Sequence, residues 1–476
     1  MSNTTQVPGY DSRSSTWIAL LVAASFFMEN LDATIIVTAV PQMAEAFGVQ
    51  AVDLSIGVSA YMLALGVFIP ASGWVAERFG ARTVFASAVA LFTVSSLLCG
   101  FATGLGEFVV LRVLQGMGGA MMVPVGRLAV LKNTPKEKLI GAIATLTWPA
   151  LVGPILGPPI GGFITTYASW RWIFYLNLPL GLIAFYFALR LIPNDKNPAR
   201  LPFDWTGFLL GGSGLFCTLW AIELISGPQT PWGQAGPFLG VGVLLLVACV
   251  WHMRRSGNPM IDLSVMKVQT FATTILGGSL FRMATGATAF MLPLMFQVGF
   301  GMNPFHAGLL MVAIFTGNLA MKPGTTWVIR RFGFKQVLGC NGLVNVLFLL
   351  SYGLLAPSTP LALIVGVLFT GGLARSLHFT ALNTLAFADV PPAKLRAANT
   401  LFSTAFQLSL GLGVAVGALA VRFGDWIKDD LGLGAMPAAD FRLGFVLIAL
   451  LSLLALYDVR GLVSNAGENI SRKPKA

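Results

Sequence analysis

Apolar stretches of about twenty residues recur along the whole chain, separated by short polar breaks. They cover 17–40, 52–72, 83–104, 107–131, 139–165, 171–192, 205–225 and 235–252, then 269–298, 305–328, 335–356, 361–388, 398–421 and 441–461. A helix needs about 20 residues to cross the hydrocarbon core of a bilayer. Only helices and closed barrels satisfy their backbone groups there. The pattern predicts an all-α polytopic membrane protein with fourteen transmembrane helices.

The polar breaks test this count. Cytoplasmic loops carry an excess of Lys and Arg. Arg78 and Arg82, Lys132, Lys136 and Lys138, Arg254, Arg255 and Lys267, and Arg330, Arg331 and Lys335 all fall in every second loop, as do Arg190, Lys196, Arg200, Lys394 and Arg396. Arg13, Arg460, Arg472, Lys473 and Lys475 fall near the two ends. The opposite loops hold only Arg171, Arg422, Lys428 and Arg442. The alternation predicts both termini in the cytoplasm.

Composition agrees. The 476 residues are 56% hydrophobic and 10% charged, against roughly 25% charged in soluble proteins. The mean hydropathy is +0.78. The net charge of +11 therefore reads as membrane topology, not nucleic-acid binding. Cys99, Cys217, Cys249 and Cys340 are scattered through apolar runs without metal or disulfide spacing. The first apolar run is too long for a signal-peptide core, and no small-residue cleavage site follows it. No polar segment is long enough for a nucleotide-binding domain, and no GxxxxGK[ST] pattern occurs. No nucleophile–base or metal constellation suggests an enzyme. No organic cofactor is expected.

The chain repeats itself. "GWVAERFGARTV" (Gly73–Val84) joins the second and third spans, and "TWVIRRFGFKQV" (Thr326–Val337) joins the tenth and eleventh, 253 residues later. Internal repeats with a site at their interface are a feature of secondary transporters. The repeat divides the chain into an N-terminal six-helix half (1–192), two inserted helices (193–268), a C-terminal six-helix half (269–461) and a tail (462–476).

Five ordered motifs then carry a specific resemblance. "GWVAERFGARTV" resembles the loop signature of the major facilitator superfamily. "RVLQGMGGAMMVP" (Arg112–Pro124) is similar to its fourth-helix motif, and "GPILGPPIGG" (Gly153–Gly162) to its antiporter motif. "LDATIIVTAVP" and "SWRWIFYLNLPLG" resemble signatures of the fourteen-helix drug:proton antiporters, the EmrB/QacA-like branch. "MMVPVGRLAVLKNTP" and "NPFHAGLLM" narrow the match toward MdtD-like multidrug exporters. Glu77 stands where the loop signature usually has Asp, and Ala81 where it has a basic residue.

The resemblance implies roles for named residues. Gly73, Glu77, Arg78, Gly80 and Arg82 would form a conformational latch, with Glu77 pairing to an arginine or a helix N-terminus of the opposite half. Gly153, Gly157 and Gly161 recur every fourth residue, a smooth face that lets another helix approach. With Pro154, Pro158 and Gly162 they are expected to seal the two halves against each other on the outer side. The motif implies antiport.

Ionisable residues inside a bilayer are costly and functional by default. Asp32 in the first span and Arg112 in the fourth lie at depths a long Arg side chain can bridge. Pairing with Arg favours a charged carboxylate, and release into an apolar cavity favours a protonated one. Making and breaking that pair would load and release a proton. Glu29, one turn away, is expected to share the site as a second proton group, a substrate contact or a counter-ion. Arg282, Arg375 and His378 are expected to join Glu29 in lining a substrate cavity.

The expected function is proton-driven export of small amphipathic compounds or drugs across the inner membrane. Organic anions or carboxylate metal chelates are the alternative cargo, because guanidinium binds carboxylate bidentately. A non-transporting sensor or scaffold is the alternative of another class. The expected partners are a small-molecule substrate and membrane lipid, not nucleic acid; a periplasmic adaptor stays open.

Overall fold

The computed structural model describes residues 12–134, 139–193, 202–226, 231–434, 436–463 and 466, without the side chains of 12–14, 139–144, 147–151, 226, 393 and 396. Expectations placed on Lys136, Lys138, Lys196, Arg200, the Arg13 and Arg396 side chains and most of the tail therefore lie outside the described residues.

The described residues form helices and contain no strand. The N-terminal set comprises α1 (Ser12–Ile35), a short α2 (Val40–Phe47), α3 (Ser55–Phe79), α4 (Ala81–Cys99), α5 (Leu105–Asn133), α6 (Leu139–Tyr167), a short α7 (Trp172–Tyr175) and α8 (Asn177–Leu191). Two further helices follow, α9 (Trp205–Ser226) and α10 (Trp232–Arg255). The C-terminal set comprises α11 (Gln269–Leu294), α12 (Pro304–Phe332), α13 (Phe334–Leu354), α14 (Leu361–Ala388), α15 (Leu395–Ile427) and α16 (Ala439–Arg460). Thirteen segments among the described residues are long and apolar enough to cross a membrane. The other expected span, 139–165, coincides with α6, a 29-residue helix whose side chains are described in part.

The repeat seen in the sequence is a repeat in backbone geometry. Gly80 ends α3 and starts α4 at φ 89°, ψ 143°. Gly333 ends α12 and starts α13 at φ 77°, ψ 162°. This region is essentially closed to side-chain-bearing residues, so a glycine at this place in each motif is what turns one helix sharply into the next. Both junctions also carry an edge-on aromatic pair, Trp74–Phe79 and Trp327–Phe332, each with centroids 6.4 Å apart.

Helix packing repeats too. In the first set α1 packs on α6, α3 on α5, α4 on α5 and α4 on α8; in the second set α11 packs on α15, α12 on α14, α13 on α14 and α13 on α16. Two seams join the sets, α3 against α15 and α6 against α12. The helix α9 lies along the first seam, touching both α3 and α15, with α10 packed on its far side. The exposed Val241, Val243, Leu244, Val247 and Trp251 of α10 suit a lipid-facing surface.

The first span differs from expectation at its end. The apolar pattern puts that end at Val40. Instead α1 ends at Ile35, a tight turn covers Ile36–Thr38, and α2 begins at Val40 with Pro41 in its first turn. Proline lacks the N–H that a first turn does not need, so it opens α2 and does not close α1.

Candidate functional site

A cavity of about 1900 Å³ opens at the end of the molecule that carries the Gly80 junction. Its mouth is ringed by charged residues of both signs: Glu77, Arg127, Asp204, Arg254, Asp262 and Lys267. Deeper in, the wall is apolar or neutral, with Phe26, Leu65, Phe402 and Phe406 beside Asn30, Ser403 and Gln407. Glu29 is the acid at that depth. It is 6% exposed, and its Oε2 has no hydrogen-bond partner among the described residues. A cavity with an apolar body and few polar groups suits an amphipathic small molecule.

Behind Glu29, away from the cavity, lies a polar cluster held by five helices. Arg112 Nη1 of α5 donates to Asp32 Oδ2 of α1 at 2.7 Å, and both side chains are sealed from solvent. The same Nη1 donates to Gln115 Oε1 at 2.6 Å. Gln115 Nε2 returns a bond to Asp32 Oδ1 at 3.0 Å. Asn177 Nδ2, at the first residue of α8, donates to the same Oδ1 at 2.7 Å and to Ser96 Oγ of α4 at 2.9 Å. Arg112 also lies over the Tyr61 ring of α3, 4.1 Å from its centroid. Helical spacing explains the α5 contribution: Arg112 and Gln115 are three residues apart and share a face. A buried ion pair survives only when its remaining lone pairs and protons are satisfied. Here that holds on the acid's side, where Asp32 accepts from three side chains, whereas Arg112 Nε and Nη2 have no hydrogen-bond partner among the described residues and the guanidinium has the Tyr61 ring on one face. Sequence reasoning missed Gln115, Asn177, Ser96 and Tyr61, because a search for membrane-buried charge passes over neutral amides and hydroxyls. Their signal was position alone, three residues after Arg112 in "RVLQ" and central in "YLNLP".

The second set of helices is arranged differently. Arg282 was expected in the cavity wall. It lies one layer behind, over the rings of Phe402 (4.8 Å) and Phe406 (5.6 Å), with Nη1 donating to Thr274 O at 3.0 Å. Arg375 and His378 were expected there too, and neither borders the cavity. Arg375 faces Phe315 of α12, 5.8 Å from its centroid. His378 packs on Phe281 with centroids 4.2 Å apart. Helix periodicity puts these residues one turn apart on α14, but α12 and α13 cover that face. Neither arginine reaches Glu29 Oε2, which has no hydrogen-bond partner among the described residues.

The glycine motif also acts on different partners than expected. The Gly153, Gly157 and Gly161 face packs within the first set, where a Cβ would meet Asn30 Cβ at 3.0 Å, Thr34 Oγ1 and Ile35 O of α1 respectively. Contact with the other set comes from the neighbouring positions. Gly162 abuts Pro304 O of α12, the Pro158 carbonyl abuts Gly308, and Phe305 N donates to Thr166 Oγ1 at 3.2 Å. Pro154 is half-buried beside them. A large apolar core drawn from both sets, including Ile35, Val40, Phe290, Phe296, Met311 and Phe445, fills this end of the molecule. The cavity is thus open at one end and packed shut at the other.

In the loop motif, Gly73 and Glu77 border the cavity mouth. Arg78 stacks over Trp74 (5.5 Å) and Phe79 (5.9 Å), and Arg82 is half-buried in the first turn of α4.

Helix sets related by an internal repeat around a central cavity are a secondary-transporter architecture. The Major Facilitator Superfamily profile matches residues 22–414 and 274–465. The chain belongs to the major facilitator superfamily. It is 38% identical over 408 residues, 86% of this chain and 85% of the relative, to the "Putative multidrug resistance protein MdtD" of Serratia proteamaculans (strain 568). The protein of that name from Escherichia coli O6:H1 is 38% identical over 415 residues, 85% of this chain and 86% of its own. Solved structures of the same fold include a bacterial homolog of the human lysosomal transporter Spinster, inward-facing and unoccupied (TM-score 0.67, 14% identity, covering 98% of this chain and 100% of that one). An auto-inhibited POT family peptide transporter is a second (TM-score 0.70, 16% identity, 95% and 98% covered). This member of the superfamily is a multi-pass membrane transporter and not an enzyme.

Proposed function

We propose that this transporter is a proton-coupled antiporter of the inner membrane that exports small amphipathic compounds, using the proton gradient and no organic cofactor. The observation that carries this reading is the Asp32–Arg112 pair, buried at 2.7 Å and one turn from a cavity-facing Glu29. Alternating access separates and rejoins helices. Asp32 sits on α1 and its donors come from α5 and α8, so movement among these helices makes and breaks the contacts that couple the proton. Glu29, which borders the cavity, is the group that contacts substrate, one turn from the carboxylate that carries the proton. The positive-inside pattern supports a cavity mouth on the cytoplasmic side, the loading side of an exporter. The MdtD relatives' name supports a drug-like cargo.

Substrate-driven proton flux in proteoliposomes tests this. Asp32→Asn is expected to abolish gradient-driven transport while leaving substrate binding measurable. Wild-type transport that is the same with and without a pH gradient sinks the proposal.

A further inference from the structure

At the packed end, one arginine ties the two helix sets together. Arg422 of α15 is 5% exposed. Its Nη2 donates to Asp53 Oδ1 at 3.0 Å, and its Nη1 donates to Gln50 Oε1. Gln50 and Asp53 frame the short turn before α3, where the Gln50 N–H donates to Asp53 Oδ2 at 2.9 Å. The guanidinium therefore grips one preformed turn of the first set by two side chains. Below this contact an apolar cluster joins Ile56, Ala60 and Leu63 of α3, Leu219 of α9 and Ala415 of α15.

A second acid stands at the same place. Glu223 of α9 is half-buried and interacts electrostatically with both Asp53 and Arg422. Leu219 of that cluster lies one turn before Glu223 on α9, so two carboxylates stand within electrostatic range of one guanidinium at a junction of three units: the two halves and the inserted helix. When the packed end opens, α3 and α15 must part, which breaks the Asp53 contact. Losing that carboxylate removes a counter-charge from a largely buried guanidinium, which is strongly unfavourable. The helix α9 packs on α15 as well as on α3, and a Glu223 that keeps to α15 would remain near Arg422 after Asp53 has left.

We propose that Glu223 is the exchange partner of Arg422: Asp53 holds it when this end is closed, and Glu223 takes it when this end opens. The inserted helix then has a gating task, and α9 supplies the charge that makes the open state accessible. The proposal rests on the alternating access of the transport reading. It does not rest on proton coupling or on the identity of the cargo.

The test reads the gate directly. Spin labels at Ala46→Cys of α2 and Ser358→Cys of the α13–α14 turn, both exposed at this end, report its width in nanodiscs by electron–electron resonance. Cys99, Cys217, Cys249 and Cys340 are replaced first. The ratio of long to short distances is measured without substrate or gradient, so a failure of proton coupling leaves the result readable. Asp53→Asn is expected to raise the ratio roughly tenfold, and Glu223→Gln to lower it by a similar factor. In the Arg422→Gln background, Glu223→Gln is expected to add nothing. Glu223→Asp keeps the charge and is expected to hold the wild-type ratio. An unchanged ratio in Glu223→Gln, or an equal fall in Glu223→Asp, overturns the exchange.

Discussion

Asn177 Nδ2 stands 2.7 Å from Asp32 Oδ1 and 2.9 Å from Ser96 Oγ. A neutral amide at the start of α8 thus anchors the carboxylate from the side opposite Arg112. Replacing Asn177 by Leu removes one donor and leaves the Arg112 contact in place. The expected result is a maximal rate reduced by roughly tenfold, with gradient dependence weakened. Proteoliposome flux with and without a pH gradient checks this. A loss of rate with gradient dependence intact assigns Asn177 to packing alone.

Glu29 and Asp32 are expected to separate by phenotype. Glu29 borders the cavity and Asp32 does not. Glu29→Gln should raise the apparent KM for substrate and keep gradient dependence. Asp32→Asn should keep binding and lose gradient dependence. Direct binding and flux measured on the same preparations check the split, and identical phenotypes contradict it.

The spans, the repeat and the Asp32–Arg112 pair were legible in the sequence because each is a departure from background. Twenty apolar residues, a second "RFG" and a charge in a membrane helix all stand out. Relations between helices were not legible. The face of Gly153, Gly157 and Gly161 announces a close neighbour without saying which, and the neighbour is α1, whereas Gly162 meets α12. Arg375 and His378 are as deep as Arg282 in sequence, yet α12 and α13 cover them. The grip of Arg422 on Asp53 and Gln50 joins residues 369 and 372 positions apart, and no spacing in the sequence pairs them.

The close approach at Gly162 gives a stability and gating prediction. An added Cβ would press on the Pro304 carbonyl and Phe305 Cα of α12. Backbone atoms do not yield as a side-chain tip does, so Gly162→Ala is expected to cost about 1–3 kcal/mol in the packed-end-closed state. Transport should fall, and labelling at Ala46→Cys and Ser358→Cys should show this end wider. Gly366→Ala, with open space around it, is the control and should behave as wild type.

Asp204 gives a pH prediction outside the membrane spans. Burial alone would raise its carboxyl, but N–H donors from Gly207 (2.9 Å) and Met260 (3.0 Å) and the His252 ring at 2.8 Å outweigh that and hold it below the usual carboxylate range. A depressed native pKa contributes stability that is present above the unfolded pKa and is lost as pH falls through the native one. Asp204 also caps α9, so Asp204→Ala is expected to cost about 0.5–2 kcal/mol at neutral pH. Thermal unfolding in detergent should show that penalty shrinking as pH drops below about 4. A penalty independent of pH points to packing instead of charge.

The two glycine junctions should respond alike, because the repeat gives them the same backbone. Gly80 and Gly333 each sit at positive φ with extended ψ, and no neighbouring atom crowds Gly333. The cost of a side chain there is conformational, about 1–3 kcal/mol for each. Gly80→Ala and Gly333→Ala are therefore expected to lower the midpoint of thermal unfolding by similar amounts. Their effects on transport should differ. Gly80 adjoins Glu77 at the cavity mouth, whereas the second motif has Arg330 where the first has Glu77 and no acid near the turn. A larger loss of flux in Gly80→Ala at equal stability would show that the acid of the first motif, and not the turn itself, governs the conformational cycle; equal losses would place the control in the turn geometry.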